Sequence, residues 1–375
     1  MKKYFYIIIA GLLLFNSCDI NPPEPEVKMF GVPVLDIIVD NDDYLDLLSN
    51  KTVDLETDCK FSYEGELFEG KISSSGAGSR YADKWSYKIE VDEGKRIEGL
   101  NEFNLSSQYS DLTKLKTIIA TKLYSQAGFP VPFSKHVFVR INGKDKGLYP
   151  LIERVEEEFF VKRNLPVAEL FKLGFDSKFT FEVLNNVQFV FEKKIPDDDN
   201  FNSLIEMIHA RDISNSENIE SSLGKFLDIE NYLKYHAVTS LLNNIDAFTN
   251  NCFLMKESPN GPFKVIPWDF DKCFSGTPFA PLAGYNQLVT KLFSNYSILN
   301  EYKRLLVLYN STIFNEANIY PIIDSTVSVI REAYKRDPYL GEAGHNLDDE
   351  IQKLKNYIAH RHKYVEDNAD SYKGF

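Results

Sequence analysis

The chain has 375 residues and a formal net charge of −13, with 28 Phe and 21 Tyr. That length and aromatic content supply a sizeable core, in one large domain or two lobes. The acidic balance excludes a general nucleic-acid binder, which needs a basic footprint, but leaves room for a small basic pocket that takes phosphates.

The first residues read as an export signal. Lys2 and Lys3 form a positive start, Tyr4 to Phe15 is apolar, and Asn16, Ser17 and Cys18 follow. The apolar run is too short for a comfortable membrane span and suits a signal peptide. A small residue before a cysteine resembles a bacterial lipoprotein cleavage box, with Phe15 and Asn16 departing from its usual Leu and small residue. This predicts a signal peptide over 1–17, lipidation at Cys18, and a tether over 18–29 in which Asp19 to Glu26 reads DINPPEPE. The protein is then exported and held to the membrane by an N-terminal lipid, on the periplasmic or the cell-surface side. The simpler alternative is ordinary secretion with cleavage nearby. The other cysteines, Cys59, Cys252 and Cys273, are too few and too scattered for a disulfide framework or a zinc site.

Residues 33–39 and 53–61 read as strands, with a short helix over Asp43 to Leu48 between them. Glu66 to Ser73 alternates weakly and leads into the Gly/Ser stretch Ser74 to Ser79. Trp85 to Val91 follows as a strand, with Tyr87, Ile89 and Val91 on one face. Residues 111–127 predict a helix, lined by Leu112, Leu115, Ile119 and Leu123 and stopped by Gly128 and Pro130. His136 to Ile141 and Gly147 to Ile152 form a hairpin around Asn142-Gly143. Glu156 to Arg163 reads as a helix, whereas 175–225 carries no clear pattern. Ile229 to Asn243 is a helix. Cys252 to Met255 and Phe263 to Ile266 are short strands that lead into Trp268-Asp269-Phe270-Asp271. From about 284 onward the chain reads as mainly helical, with a long last helix over roughly 347–367.

Phosphoryl transfer needs a cradle over the phosphates, a cation on them, a metal held by carboxylates, and a group that places the acceptor hydroxyl. This chain offers those parts in kinase order. Gly76-Ala77-Gly78-Ser79 is the candidate cradle, because absent Cβ atoms let backbone N–H groups approach a polyphosphate. Lys88, on the strand just after it, is the candidate phosphate cation. Arg80 and Lys84 add charge nearby, and Lys84 reads equally well as a solvated surface lysine. Ile152-Glu153-Arg154-Val155 joins strand to helix where a kinase hinge contacts adenine through its backbone. Glu153 itself reads either as a hinge-surface charge or as the acidic partner of Lys88. Asp246 and Asn251 have the D-x-x-x-x-N spacing of a catalytic loop. Asp269 and Asp271, just beyond a strand, suit Mg²⁺ or Mn²⁺.

At these residues the chain resembles the CotH kinase-like family, relatives of spore coat protein H. The stretches that carry the resemblance are GAGSRYADKWSYKIEV, NEFNLSSQYSDLTKLKTIIATKLYSQAGFPVP, VFVRINGKDKGLYPLIERVEEEFF, LFKL, NNIDAFTNNCFLMK and FKVIPWDFD, in the family's order over roughly 30–275. The resemblance implies an α+β, two-lobed atypical protein-kinase fold: a mixed N-lobe sheet over about 30–155 and a mainly helical C-lobe over 156–375. It implies ATP and divalent-metal binding and, in some members, phosphorylation of Ser or Thr on secreted proteins. Carried over, Asp246 is the catalytic-loop Asp, Asn251 and Asp269 hold metal with Asp271 as a further ligand, and Lys88 is the basic strand residue. The resemblance also places Cys252 near Cys273, as a disulfide or as two separate buried thiols. Two departures stand out: Ser75-Gly76-Ala77-Gly78 replaces the family's Arg-Gly, and helix 111–127 contains no Glu to pair with a lysine.

The expected function is an extracytoplasmic ATP- and metal-dependent phosphotransferase acting on an exported protein, with no nucleic-acid partner. The competing readings are a kinase-like surface lipoprotein used as an adhesion or envelope scaffold, and another nucleotide-dependent transfer on the same fold.

Overall fold

The computed structural model describes residues 30–375, apart from 54, 77 and 175–186. The predicted signal peptide over 1–17, Cys18, the tether over 18–29 and Ala77 lie outside the described residues.

Strand β1 (Val34–Val39) buries Leu35, Ile37 and Val39 on one face. Helix α1 (Asn41–Ser49) follows, capped by the Asp40 carboxylate, which accepts from the N–H groups of Asp42 and Asp43. Strands β2 (Glu56–Tyr63), β3 (Glu66–Ser75), β4 (Ser86–Val91) and β5 (Glu102–Leu105) form an antiparallel run. After helix α2 (Lys116–Gln126) come β6 (Ser134–Ile141) and β7 (Lys144–Glu153). Asn142 and Gly143 join them at φ 50° and 73°, the left-handed pair that a tight two-residue hairpin requires. Strand β7 pairs with β5, and β6 runs parallel to β1, so seven strands close into a barrel. Its interior is filled by Leu35, Ile37, Phe61, Ile72, Ile89, Phe103, Val139 and Leu151 among others. The sheet is mixed, as expected; its closure is a feature the local pattern did not announce. At Gly70 a Cβ would lie 2.0 Å from the Glu90 carbonyl oxygen, so only glycine lets β3 approach β4 that closely.

Helix α2 starts five residues later than the pattern predicts. The Asp111 carboxylate accepts from Thr113 N, Thr113 Oγ1 and Lys116 N, while Lys114 takes φ 59°. That side chain offers the backbone a turn in place of a helical one.

The second lobe begins with α3 (Glu157–Arg163), β8 (Glu169–Leu173), α4 (Val187–Val190) and β9 (Phe191–Ile195). Helices α5 (Asn202–Ile213), α6 (Ile219–Leu223) and α7 (Ile229–Leu242) lead to strands β10 (Cys252–Lys256) and β11 (Phe263–Pro267). These strands build a four-stranded sheet in the order β11-β10-β8-β9. Helices α8 (Gln287–Phe293), α9 (Tyr296–Thr312), α10 (Glu316–Arg336) and α11 (Leu347–Asn368) complete the lobe. Helix α7 is its axis: Tyr232, Leu233, Tyr235, Val238, Leu241 and Leu242 are all buried, and from Tyr235 onward every residue of the helix is buried. The Arg361 guanidinium, fully buried, donates to the carbonyls of Ser240, Pro278, Ala280 and Pro281 and ties α11 to α7.

Lys84 settles on neither sequence reading. It is 3% exposed, and its ammonium donates to Asp337 Oδ2 at 2.6 Å and to the Leu148 carbonyl at 2.8 Å. Asp337, just past α10, also accepts from Leu148 N at 2.7 Å, so this carboxylate pins the helical lobe to the barrel. Cys252 and Cys273 are separate buried thiols, not a disulfide.

Candidate active site

The end of α7 fixes one wall of the site. Asn243 stops the helix in the left-handed region, φ 45°, which short polar side chains tolerate. Its amide donates to Ser275 O at 2.5 Å and to Tyr357 Oη at 2.8 Å. The next residue, Asn244, donates to Asp269 O at 3.1 Å and so joins the loop after α7 to the segment after β11. A 3₁₀ turn over Asp246–Phe248 follows. Tyr235 Oη holds the Ala247 carbonyl at 2.9 Å, and Asn286 Nδ2 holds that of Phe248 at 2.7 Å. The β10–β11 register pairs Cys252 with Pro267, which sets the neighbouring Asn251 beside Trp268-Asp269. Asn251 and Asp269 both adopt φ 55°. A non-glycine residue pays strain for that conformation, and such outliers gather at functional sites.

Asp246, Asn251, Asp269 and Asp271 line a single cleft of about 590 Å³ between barrel and helical lobe. Gly76, Gly78 and Ser79 line its barrel side, together with Ser107, Gln108 and Tyr109 from the loop between β5 and α2. Asp269 opens onto the cleft, yet protein encloses it on its other sides. Burial, then the nearby Asp271 and Asp246 carboxylates, push its carboxyl well above the usual range. Asp271 is raised as well, chiefly by burial, with Asp246 adding to the effect.

Several expected site residues fall elsewhere. Lys88 is on the same face of β4 as cleft-lining Ser86, but lies outside the cleft wall. Its ammonium is turned to Glu102 at 3.4 Å and Glu90 at 3.6 Å, carboxylates on its own sheet. Arg80 is buried beneath the glycine loop, its guanidinium directed at the carbonyls of Ser74 and Lys51. Ser79 Oγ donates to Ser75 O at 2.6 Å and shapes the loop. Glu153 is neither a surface charge nor the partner of Lys88. It is 3% exposed, pairs with Arg163 at 2.6 Å and accepts from Phe133 N. Its own N–H is bonded to Phe133 O, which removes it as an adenine donor. Glu153 belongs to a second depression, of about 710 Å³, across the hinge.

The sequence reading missed four residues that build the site. Asn244 links its two acidic segments, and Lys172 on β8 lines the cleft. Gln108 lines the cleft too, 3% exposed and with no partner for its Oε1 among the described residues. Lys114 donates to Ser107 O and Gln108 O at 2.9 and 2.7 Å, bracing the loop from beneath, and burial lowers its pKa to about 7. All four lie in stretches that carry the family resemblance, but only the tertiary fold gathers them at the cleft.

Among the described residues, no three His, Cys, Asp or Glu side chains gather closely enough to hold a metal by themselves. A magnesium-type ion in a phosphate site asks for one or two carboxylates, with phosphate and water completing its shell. The donors here fit that demand: they are hard oxygens, and the crowded carboxylates have charge that a divalent cation would relieve.

A barrel lobe bearing glycines, set over a helical lobe bearing carboxylates, is the architecture of a kinase-like protein. The chain belongs to the CotH kinase protein family, whose model matches residues 72–365. It is 26% identical over 312 residues to the inner spore coat protein H of Bacillus subtilis (strain 168), spanning 79% of this chain and 86% of that protein. Among solved structures, it overlaps the Shewanella oneidensis MR-1 toxin–antitoxin complex of HipA, HipB and operator DNA at a TM-score of 0.39 and 11% identity, over 90% of this chain and 74% of that one. The Helicobacter pylori proinflammatory kinase CtkA overlaps at 0.27 and 12%, over 83% and 92%. At such scores the overlap is loose, and family membership sets the class.

Proposed function

We propose that this protein is an ATP- and Mg²⁺- or Mn²⁺-dependent phosphotransferase, exported and anchored through a lipid on Cys18, that acts on Ser or Thr of an exported protein. The observation that supports this best is the convergence of Asp246, Asn251, Asp269 and Asp271 on one cleft beneath Gly76 and Gly78. In this reading Asp246 orients the acceptor hydroxyl and takes its proton. Asn251, Asp269 and Asp271 hold the metal, and the backbone around Gly76 and Gly78 covers the phosphates. The bound ion supplies neutralising charge on the phosphate oxygens.

The test is transfer of labelled γ-phosphate, to the protein itself or to exported proteins, with Mn²⁺ or Mg²⁺ present. Transfer is expected in the wild type and lost in Asp246→Ala and Asp269→Ala. A purified chain that neither binds nor consumes ATP refutes the reading. Anchoring is tested apart, by labelled fatty acid that should enter the wild type and not Cys18→Ala. One observation favours a weak or inactive scaffold instead: Lys88 is engaged by Glu90 and Glu102 and does not face the cleft. Thermal stabilisation by ATP with metal separates the two, since a scaffold shows none.

A further inference from the structure

We infer that Lys172 is the ammonium that grips the phosphate chain of the bound nucleotide, a role that rests on the phosphotransferase reading. The case begins with the alternation of β8. Phe171 and Leu173 enter the main core of the helical lobe, whereas Leu170 packs with Phe253 and Ile266 in a smaller cluster beneath the hinge. Lys172 shares the face of Leu170, where an apolar residue would satisfy the packing. It lines the cleft instead. Its register partner on β10 is Phe253, two residues from Asn251, and Asp269 lies near enough to act on its charge.

What marks Lys172 is its lack of an acidic partner. Arg154, also in the cleft wall, is held by Glu102 and Glu156. Lys194 is held by Glu192 at 2.5 Å, and that occupies the carboxylate facing Lys172 from β9. Lys272 bonds Ser110 Oγ at 3.2 Å and lies 3.9 Å from Asp271. Lys172 has no carboxylate within 4.0 Å among the described residues. Burial lowers its pKa; Glu192 and Asp269, beyond ion-pair distance, offset that in part, while Lys194 and Arg154 add to it. Such a group is costly alone and favourable once an anion arrives. The Asp246 to Asn251 loop contains no Lys or Arg, so no cation comes from there. A polyphosphate lying between the glycines and Asp269 passes the one ammonium in this wall that, among the described residues, has no carboxylate within ion-pair distance.

The test compares ATP with adenosine, each titrated with Mn²⁺ into the purified full chain. Wild type should bind ATP more tightly than adenosine. Lys172→Met should weaken ATP by about 10- to 100-fold, the loss of a charged hydrogen bond, while adenosine affinity stays within about twofold. Lys172→Arg should recover part of the gap, and Lys88→Met should leave it intact. If Lys172→Met keeps the wild-type gap, or weakens both ligands equally, the inference is overturned and the phosphotransferase reading stands. If wild type binds neither ligand, that reading fails and takes this one with it.

Discussion

His236 offers a quantitative test of how the helical lobe is packed. It lies in the middle of α7, fully buried, and neither ring nitrogen has a hydrogen-bond partner among the described residues. The rings of Tyr232, Phe248, Phe293 and Tyr302 surround it, with centroids 5.3 to 6.4 Å away. Burial alone pushes its pKa from 6.5 to about 3. Above the unfolded value both states hold a neutral imidazole, so this group leaves stability unchanged there. As pH falls from 6.5 towards 3 the unfolded chain gains a proton that the native chain refuses, and stability drops. The loss at pH 5 is about 2 kcal/mol, and it approaches about 5 kcal/mol near pH 3. His236→Phe removes the titration and keeps a ring in the aromatic cage; any repacking cost is the same at every pH. Urea or thermal unfolding of both proteins at about pH 8 and pH 5 reads the difference. Between those conditions the wild type should lose about 2 kcal/mol more than the variant, roughly 2–3 °C in Tm for a chain of this length. If the two midpoints move in parallel, the imidazole is not held neutral by burial and the reasoning fails.

Asp337→Asn strands the buried Lys84 ammonium and should destabilise the chain by about 3–5 kcal/mol, while adding Lys84→Met should return part of that loss; unfolding of the two variants tests it. Gly284→Ala should cost about 1–3 kcal/mol and depress any phosphotransfer, because a Cβ there lies 2.0 Å from the Phe248 ring that supports the Asp246 turn. A parallel Gly344→Ala, where a Cβ meets no atom within 4 Å but φ is 90°, should also cost stability yet leave activity untouched. Asp246→Asn should retain ATP binding yet lower turnover by about 10²–10⁴-fold, read by titration and by labelled-phosphate transfer.

What the sequence disclosed follows the range of the interactions involved. The Asn142-Gly143 turn, the capped α7 and the Trp268 to Asp271 segment are specified by neighbours a few positions apart, and all are where the pattern puts them. The barrel closes through a pairing with no local signature: Val39 N bonds Asn142 Oδ1 across 103 positions. The fate of Lys84 is set by Asp337, 253 positions away, so no window around SRYADKW distinguishes a buried ion pair from a surface lysine. Lys88 misled for the opposite reason. Its strand and spacing suit a phosphate lysine, but Glu90 two residues on and Glu102 on the neighbouring strand claim it. Lys172 was hidden within LFKL because its exposure to the cleft depends on the register against β10.

The features that break local rules gather at the cleft, and that concentration has a thermodynamic consequence. Asn251 and Asp269 hold positive φ, Gln108 Oε1 and Asn244 Oδ1 lack partners among the described residues, and Asp246, Asp269 and Asp271 crowd like charges together. None of this helps the empty protein fold; such conflicts persist where function requires them and the rest of the chain offsets them. Asp269→Asn keeps the shape and the tolerance for positive φ while removing one of the repelling charges. Because Asp269 opens to solvent, the repulsion is screened and the relief amounts to about 1 kcal/mol. Without metal or nucleotide, the variant should therefore be slightly more stable than wild type, a gain of roughly 1–2 °C. With Mn²⁺ and ATP the order should reverse, since the wild type gains ligand stabilisation and the variant does not. A variant less stable than wild type in the empty state would mean that the Asp269 carboxylate holds the fold together, and that the cleft is not a site where stability is given up for binding.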